Sequence, residues 1–147
     1  MSKPLSIKIS GLESTFSNLT GEVKKIQEEI DNEMAASVEM MATNAKQNLQ
    51  AQYGALRSSI NAKKISDYNY LLSANKDYAP YIEFGTGIYA TNYLASKEQE
   101  WKDLARQYYV NGKGTTPSTP YFYPAVKFQT QKLIERIKNI LNRNERL

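Results

Sequence analysis

The segment Tyr81-Ile82-Glu83-Phe84-Gly85-Thr86-Gly87 constrains this chain more than any other. Ile82 and Phe84 fall on one side of an extended backbone and Tyr81 and Glu83 on the other, the period of two of a half-buried strand. Gly85 and Gly87 then permit backbone angles that a side chain forbids, so the strand is expected to end in a forced turn. Some thirty positions on, a second compact block, Thr119-Pro120-Tyr121-Phe122-Tyr123-Pro124-Ala125, leads into an apolar-periodic helix. Neither block holds the parts of a catalytic site, and together they point to a building block of an assembly.

What the residues exclude is as informative. The chain has no cysteine and no histidine, which rules out disulfides, thiolate zinc sites, cysteine nucleophiles and imidazole triads. It also removes the usual general base near neutral pH. Its 147 residues predict one domain, 1–147, with a core that a mean hydropathy of −0.59 keeps thin. No apolar run approaches the ~18 residues of a membrane span. Met1-Ser2-Lys3-Pro4-Leu5 lacks the apolar core of a signal peptide, so synthesis and residence in a cytoplasm are expected. No cofactor and no metal site are expected either.

The formal charge of +4 sits at one end. From Lys127 onward come Lys127, Lys132, Arg136, Lys138, Arg143 and Arg146 against Glu135 and Glu145, while the remaining charges cancel. A solvated helix face with cations near its C-terminus is the favoured reading. A cationic patch at Arg136, Lys138 and Arg143 that meets nucleic acid is the alternative.

Along the chain, Leu5, Ile7 and Ile9 alternate with Ser6, Lys8 and Ser10, a short strand closed by Gly11. Leu12, Phe16, Leu19, Val23, Ile26 and Ile30 then step at helical spacing, and Met34, Val38, Met41, Ala45 and Leu49 continue the stripe. A break is expected at Thr20-Gly21, with the stronger helix from Glu22 to about Gln52 and Thr20 as its N-cap. An amphipathic helix packed on its own sheet explains this stripe better than a coiled coil, because e/g charge complementarity is missing. Gly54 fits the helix C-cap. Ile60 to Leu72 reads as a strand pair or one long strand, Asn75-Lys76-Asp77 as a turn, and Tyr78 to Phe84 as the next strand, with Pro80 near its start. Residues 88–114 form an excursion with a helix from Ser96 to Tyr109, Ser96 being its N-cap. Thr119 to Tyr123 is extended, Pro124 suits the first turn of the last helix, and Val126, Leu133, Ile134, Ile137, Ile140 and Leu141 form its one apolar face.

Gly85-Thr86-Gly87 lacks the downstream Gly-Lys-Ser/Thr of a phosphate loop, and no helix is expected directly behind it, so it reads as a structural turn. Asn18-Leu19-Thr20 matches a glycosylation sequon without a secretory signal. Glu83 as a catalytic carboxylate would need a second acid. The preferred reading is a strand glutamate paired with Arg57 or Lys127. Eleven tyrosines are many for this length. Two readings of the aromatics around the excursion stay open: a core margin with hydroxyls in water, or a protein interface at Tyr89, Tyr93, Trp101, Tyr108, Tyr109 and Tyr121; a third, stacking on single-stranded nucleic acid, is disfavoured because the stretch has no surplus of positive charge.

Three blocks in order carry a family resemblance: Tyr53-Gly54-Ala55-Leu56-Arg57-Ser58-Ser59-Ile60, Tyr78-Ala79-Pro80-Tyr81-Ile82-Glu83-Phe84-Gly85-Thr86 and Pro120-Tyr121-Phe122-Tyr123-Pro124-Ala125. They resemble the head–tail joining, or tail-completion, proteins of long-tailed bacteriophages. That family shows a Gly-x-Leu-x-x-Ser-Ile block, a Tyr-Ala-x-x-Val-Glu-x-Gly-Thr block and a Pro-Phe-x-x-Pro-Ala block. Gly54, Leu56, Ser59 and Ile60 match the first, and Tyr78, Ala79, Glu83, Gly85 and Thr86 the second, with Ile82 for valine. In the third, Pro120, Phe122 and Pro124 are offset by one residue. The resemblance implies an α+β fold, an antiparallel sheet packed by a long N-terminal helix and a C-terminal helix. It implies a non-enzymatic virion protein of the neck that assembles in the host cytoplasm. There it would form a homo-oligomeric, six-fold ring between the connector or head-completion protein and the tail tube or tail terminator. DNA would pass through its lumen without being read, and no membrane is involved.

Overall fold

The computed structural model describes residues 4–11, 24–108 and 114–145. The expected break at Thr20-Gly21, the Thr20 cap, Tyr109 and Arg146 lie outside the described residues. Strand β1 (Leu5–Ile9) forms where alternation predicts it, and Gly11 follows at φ +113°. Helix α1 (Lys24–Asn48) buries Ile30, Met34, Val38, Met41, Ala42 and Ala45, steps of three and four that keep one stripe on the core. Its last carbonyls are claimed by a distant side chain: Arg57 donates from Nε to the Lys46 oxygen at 3.2 Å and from a terminal nitrogen to the Leu49 oxygen at 2.6 Å. Gly54 is therefore not the C-cap. It sits at φ −56° and ψ −41° and opens the short helix α2 (Gly54–Ser58), after a 3-10 turn over Ala51–Tyr53.

Strands β2 (Ile60–Ser66) and β3 (Asn69–Ala74) are the expected strand pair, closed by a tight turn at Asp67-Tyr68. Tyr68 adopts φ +61°, a conformation that disfavours a bulky side chain, and its N–H donates to Asp31 Oδ1 at 3.0 Å. The sheet is antiparallel with order β1-β3-β2, pairing Leu5 with Ala74 and Ile9 with Tyr70. Leu5, Tyr70, Leu72 and Ala74 thus share the face beneath α1 and are buried there.

The segment expected as the strand Tyr78–Phe84 is instead helix α3 (Ala79–Phe84). Pro80 lies in its first turn, where no N–H is needed. Ala79, Pro80, Glu83 and Phe84 are buried, a helical spacing disguised in the sequence because one core position is an acid. The central sheet does not include it. Helix α4 (Gly87–Leu94) opens directly behind the Gly-Thr-Gly turn, and α5 (Gln99–Arg106) starts after Glu98 rather than after Ser96. The excursion is therefore two helices. Residues 114–120 have no regular secondary structure and do not join the sheet, and α6 (Phe122–Glu145) completes the order, with Pro124 in its first turn.

Helix α6 lies antiparallel along α1. Asn48 Nδ2 donates to the Tyr121 oxygen at one end, and at the other Arg136 pairs with Glu33 and Arg143 with Glu29. Phe122, Ala125, Val126, Leu133 and Ile140 form its buried stripe. Ile134 and Leu141, expected on that face, are 48% and 41% exposed, so the apolar residues of α6 divide between the core and a separate flank. The result is α+β: a three-stranded antiparallel sheet packed by the long helix and the C-terminal helix.

Candidate functional site

The three sequence blocks converge structurally. In the first, Leu56 is fully buried, and Ser59 Oγ donates to the Leu56 oxygen at 2.7 Å while accepting from the Asn75 N–H at 3.0 Å. That fixes the corner where α2 enters β2. Tyr78 stands just before α3 and is 42% exposed, and Ala79 is buried.

The second and third blocks meet through Glu83. Its Oε1 accepts from the N–H of Tyr121 at 2.9 Å and of Phe122 at 2.6 Å, and its Oε2 from the N–H of Tyr123 at 3.4 Å. The Tyr93 hydroxyl donates to Oε2 at 2.5 Å. Glu83 is fully buried and is a distant N-cap for α6. The position before α6 is Tyr121, which has no side chain able to cap locally, and that is the sequence signal that an acceptor must come from elsewhere. The paired base expected for Glu83 is absent among its partners: Arg57 caps α1, and Lys127 pairs with Glu98 at 2.6 Å. Burial raises the Glu83 pKa above the ordinary carboxylate range, against the pull of the Tyr93 hydroxyl and the three N–H groups. Burial and the adjacent carboxylate push the Tyr93 phenol up as well.

Backbone contacts reinforce this join. The Thr119 N–H donates to the Ile82 oxygen at 2.7 Å, the Thr86 N–H to the Thr116 oxygen at 2.9 Å, and the Thr116 N–H to Thr86 Oγ1 at 2.9 Å. Gly85 has φ +74°, and a Cβ there would lie 2.7 Å from the Ser118 nitrogen, so both angle and space demand glycine. Pro120 is exposed at the rim, just before the capped turn.

Most of the candidate interface aromatics are spent inside the subunit. Trp101, Tyr108 and Tyr121 are 5%, 6% and 0% exposed. Trp101 packs on Phe84, Phe122 and Tyr123 with centroids 5.7, 6.4 and 5.0 Å away, and Tyr108 stacks on Phe84. Their hydroxyls find protein partners: Tyr121 donates to the Ala79 oxygen and Tyr108 to the Pro4 oxygen, both at 2.9 Å. Tyr93 is half-buried, and Tyr89 is exposed on α4 beside Ile88. The excursion is thus pinned to the core by its rings. In the candidate basic patch, Arg136 and Arg143 are bound to acids of α1, while Lys138 is exposed.

A second carboxylate cluster escaped the sequence reading. Asp31 of α1 accepts from Lys64 Nζ at 2.7 Å, the Tyr70 hydroxyl at 2.7 Å and the Tyr68 N–H, which ties the helix to the hairpin. Burial alone would raise its pKa, but these donors outweigh it and hold the carboxyl below its ordinary value. Desolvation first, and then the Asp31 carboxylate to which it donates, push the Tyr70 phenol up to about 12.

No group of three or more metal-ligating side chains occurs among the described residues. The one buried charged side chain among them faces backbone and a phenol, not an accessible cleft with a second acid. The carboxylate chemistry considered for Glu83 has no place for a substrate. The polar interior of this fold fixes the placement of its helices. Residues 10–85 match the family model described as "Bacteriophage HK97-gp10, putative tail-component", and the chain belongs to that family. It is a bacteriophage tail component and a virion structural protein, not an enzyme. No curated protein and no solved structure matches it. The matched span holds the first sequence block, the second as far as Gly85, and with it the Glu83 carboxylate; the groups that Glu83 holds lie beyond it. No helix among the described residues is long and apolar enough to cross a membrane.

Proposed function

We propose that this tail component is a tail-completion, or head–tail joining, subunit of the virion neck, folded as one domain over residues 1–147. Copies form a closed ring, six-fold to match the tail tube, between the connector or head-completion protein and the tail tube or tail terminator. DNA passes through the lumen without base reading. The observation that carries this reading is the distribution of exposed apolar side chains. Ile88 and Tyr89 stand on α4, while Ile134 and Leu141 stand on the outer flank of α6. A ring built by rotation needs two different patches per subunit, one for each neighbour. The tail-component family and the order of the three blocks support the placement. Residues 87–116, held rigid at their base by the Thr86–Thr116 bonds, would contact neighbouring subunits or tail protein.

Cryo-electron microscopy of intact virions tests this. The expected result is a ring at the head–tail junction with residues 87–116 at subunit contacts. Density for the chain elsewhere in the tail, or residues 87–116 facing solvent all round, would overturn the reading. The nucleic-acid alternative loses support from the ion pairs of Arg136 and Arg143, which already spend two of its three cations.

A further inference from the structure

Helices α1 and α6 form one layer, whose outer face no element among the described residues covers. Asn48 meets Tyr121 and Glu33 meets Arg136, contacts fifteen positions apart on both helices, so the register between them is even. Met40 follows Glu33 by seven positions, two turns along the side of α1 that faces α6. Phe128 precedes Arg136 by eight, reached through Lys132 in steps of four that wind outward. At about 1.5 Å of rise per residue the two stand at nearly the same level. Both are large, apolar and open to water, Met40 by 45% and Phe128 by 52%. Ala36, one turn before Met40, is exposed beside them. The Lys132 ammonium lies over the Phe128 ring, 4.3 Å from its centroid, a weak contact at a site open to water. Asn32, Thr43, Gln47, Glu135 and Asn139 surround this island, so a methionine and an aromatic ring sit inside a polar rim, the composition of an interface core.

The charges of this face are sorted by helix. α1 presents Glu29, Glu33 and Glu39, with Lys25 at its start, and α6 presents Lys132, Arg136 and Arg143, with Glu135. Each half therefore has a surplus of one sign, while the face as a whole is neutral. The ion pairs of Glu33 with Arg136 and Glu29 with Arg143 bridge the seam without undoing that division. Lys138 stands away from this face, on the flank of Ile134 four positions before it.

We infer that this face joins two copies of the chain about a two-fold axis parallel to the helices, with α1 of each lying on α6 of the other. The occupant is a second copy because the face is its own complement. Met40 of each copy meets Phe128 of the other at one level. The acidic half of each face lies on the basic half of the other, whereas rotation about the perpendicular axis stacks acid on acid. α1 and α6 run antiparallel, so each of the four helices gains a second antiparallel neighbour. Helices of 25 and 24 residues make a layer about 36 Å long and about 20 Å wide. That is about 700 Å² a side, close to the ~800 Å² per partner of a stable interface. The pairing uses neither the α4 patch nor the Ile134–Leu141 flank, so it stands or falls apart from the ring.

Analytical ultracentrifugation of the full chain, from micromolar to submillimolar concentration, tests this. The expected result is a reversible dimer that Phe128→Glu weakens at least tenfold. Ile65→Glu, at an equally exposed apolar site on β2, should leave the dimer unchanged, and circular dichroism checks that both variants fold. The chain has no cysteine, so an introduced thiol is unique. Met40→Cys and Phe128→Cys chains, mixed and mildly oxidised, should cross-link with each other faster than either does with itself. Three results would each overturn the inference. One is a monomer throughout, which leaves the face to another protein. Another is an assembly of any size that Phe128→Glu leaves intact. The third is preferential cross-linking of Met40→Cys chains with themselves, which puts α1 on α1.

Discussion

Asp31 and Glu83 invite comparison because they do the same work by opposite means. Each is a carboxylate that accepts from a tyrosine hydroxyl and from backbone N–H groups, and each ties a long helix to its surroundings. Asp31 has a cation at 2.7 Å and a side chain 13% exposed, and its pKa falls. Glu83 has no cation among its partners and no exposure, and its pKa rises. Hydrogen bonds alone do not keep a carboxyl acidic; access to water and an opposite charge decide. Glu83 relies on the first-turn N–H groups of α6 and the dipole behind them.

The comparison breaks most easily at Glu83. Replacing it with alanine leaves the Tyr121 N–H, the first two N–H groups of α6 and the Tyr93 hydroxyl without their acceptor, so a loss of about 3 kcal/mol or more is expected from urea midpoints. Glu83→Gln keeps one carbonyl acceptor and should cost less. Asp31→Ala should cost about 1–2 kcal/mol, because Lys64 is half exposed to water and the buried Tyr70 hydroxyl keeps the backbone oxygen of residue 31 as an acceptor. It should also remove a salt dependence that the Glu83 variants keep, since Lys64 is half exposed. A smaller loss for Glu83→Ala than for Asp31→Ala would reverse the argument.

Stability against pH sharpens the contrast. The folded state binds the Glu83 proton more tightly than the unfolded chain does. That contribution is complete below the ordinary value of 4.5 and is lost as pH rises toward the folded pKa. Asp31 has the reverse sign: its contribution is present above 3.8 and is lost as pH falls. Glu83→Gln should therefore flatten the decline above about pH 4.5, and Asp31→Asn the decline on the acid side. The smallest change is expected at Glu98, whose exposed carboxyl Lys127 and Tyr123 hold at about 2. Glu98→Gln should barely move the denaturation midpoint while releasing Lys127 from its pKa of about 12, which nuclear magnetic resonance titration can follow.

Local pattern revealed much of this fold. The alternation of Leu5, Ile7 and Ile9, the stripe of α1, the β2–β3 pair and the start of α6 are all where spacing puts them. The failures share a cause. Tyr78–Phe84 alternates like a strand only while Glu83 is assumed to face water; once the acid is buried, the same residues have a helical face. Gly54 looked like a cap because the true cap, Arg57, reaches back from another element. Trp101, Tyr108 and Tyr121 looked like a rim because periodicity does not tell which rings find one another across long separations. The ligands of Asp31 lie more than thirty positions away, beyond any local reading.

The resemblance to tail components ends at residue 85, two positions past Glu83, while the N–H groups which that acid serves begin at Tyr121. A fragment cut there would carry its most deeply placed acid to a raw end. The long helix would lose the companion that covers it. Shared ancestry can be legible over half a polypeptide, yet autonomy requires the remainder: the heritable signature and the cooperative unit have different borders.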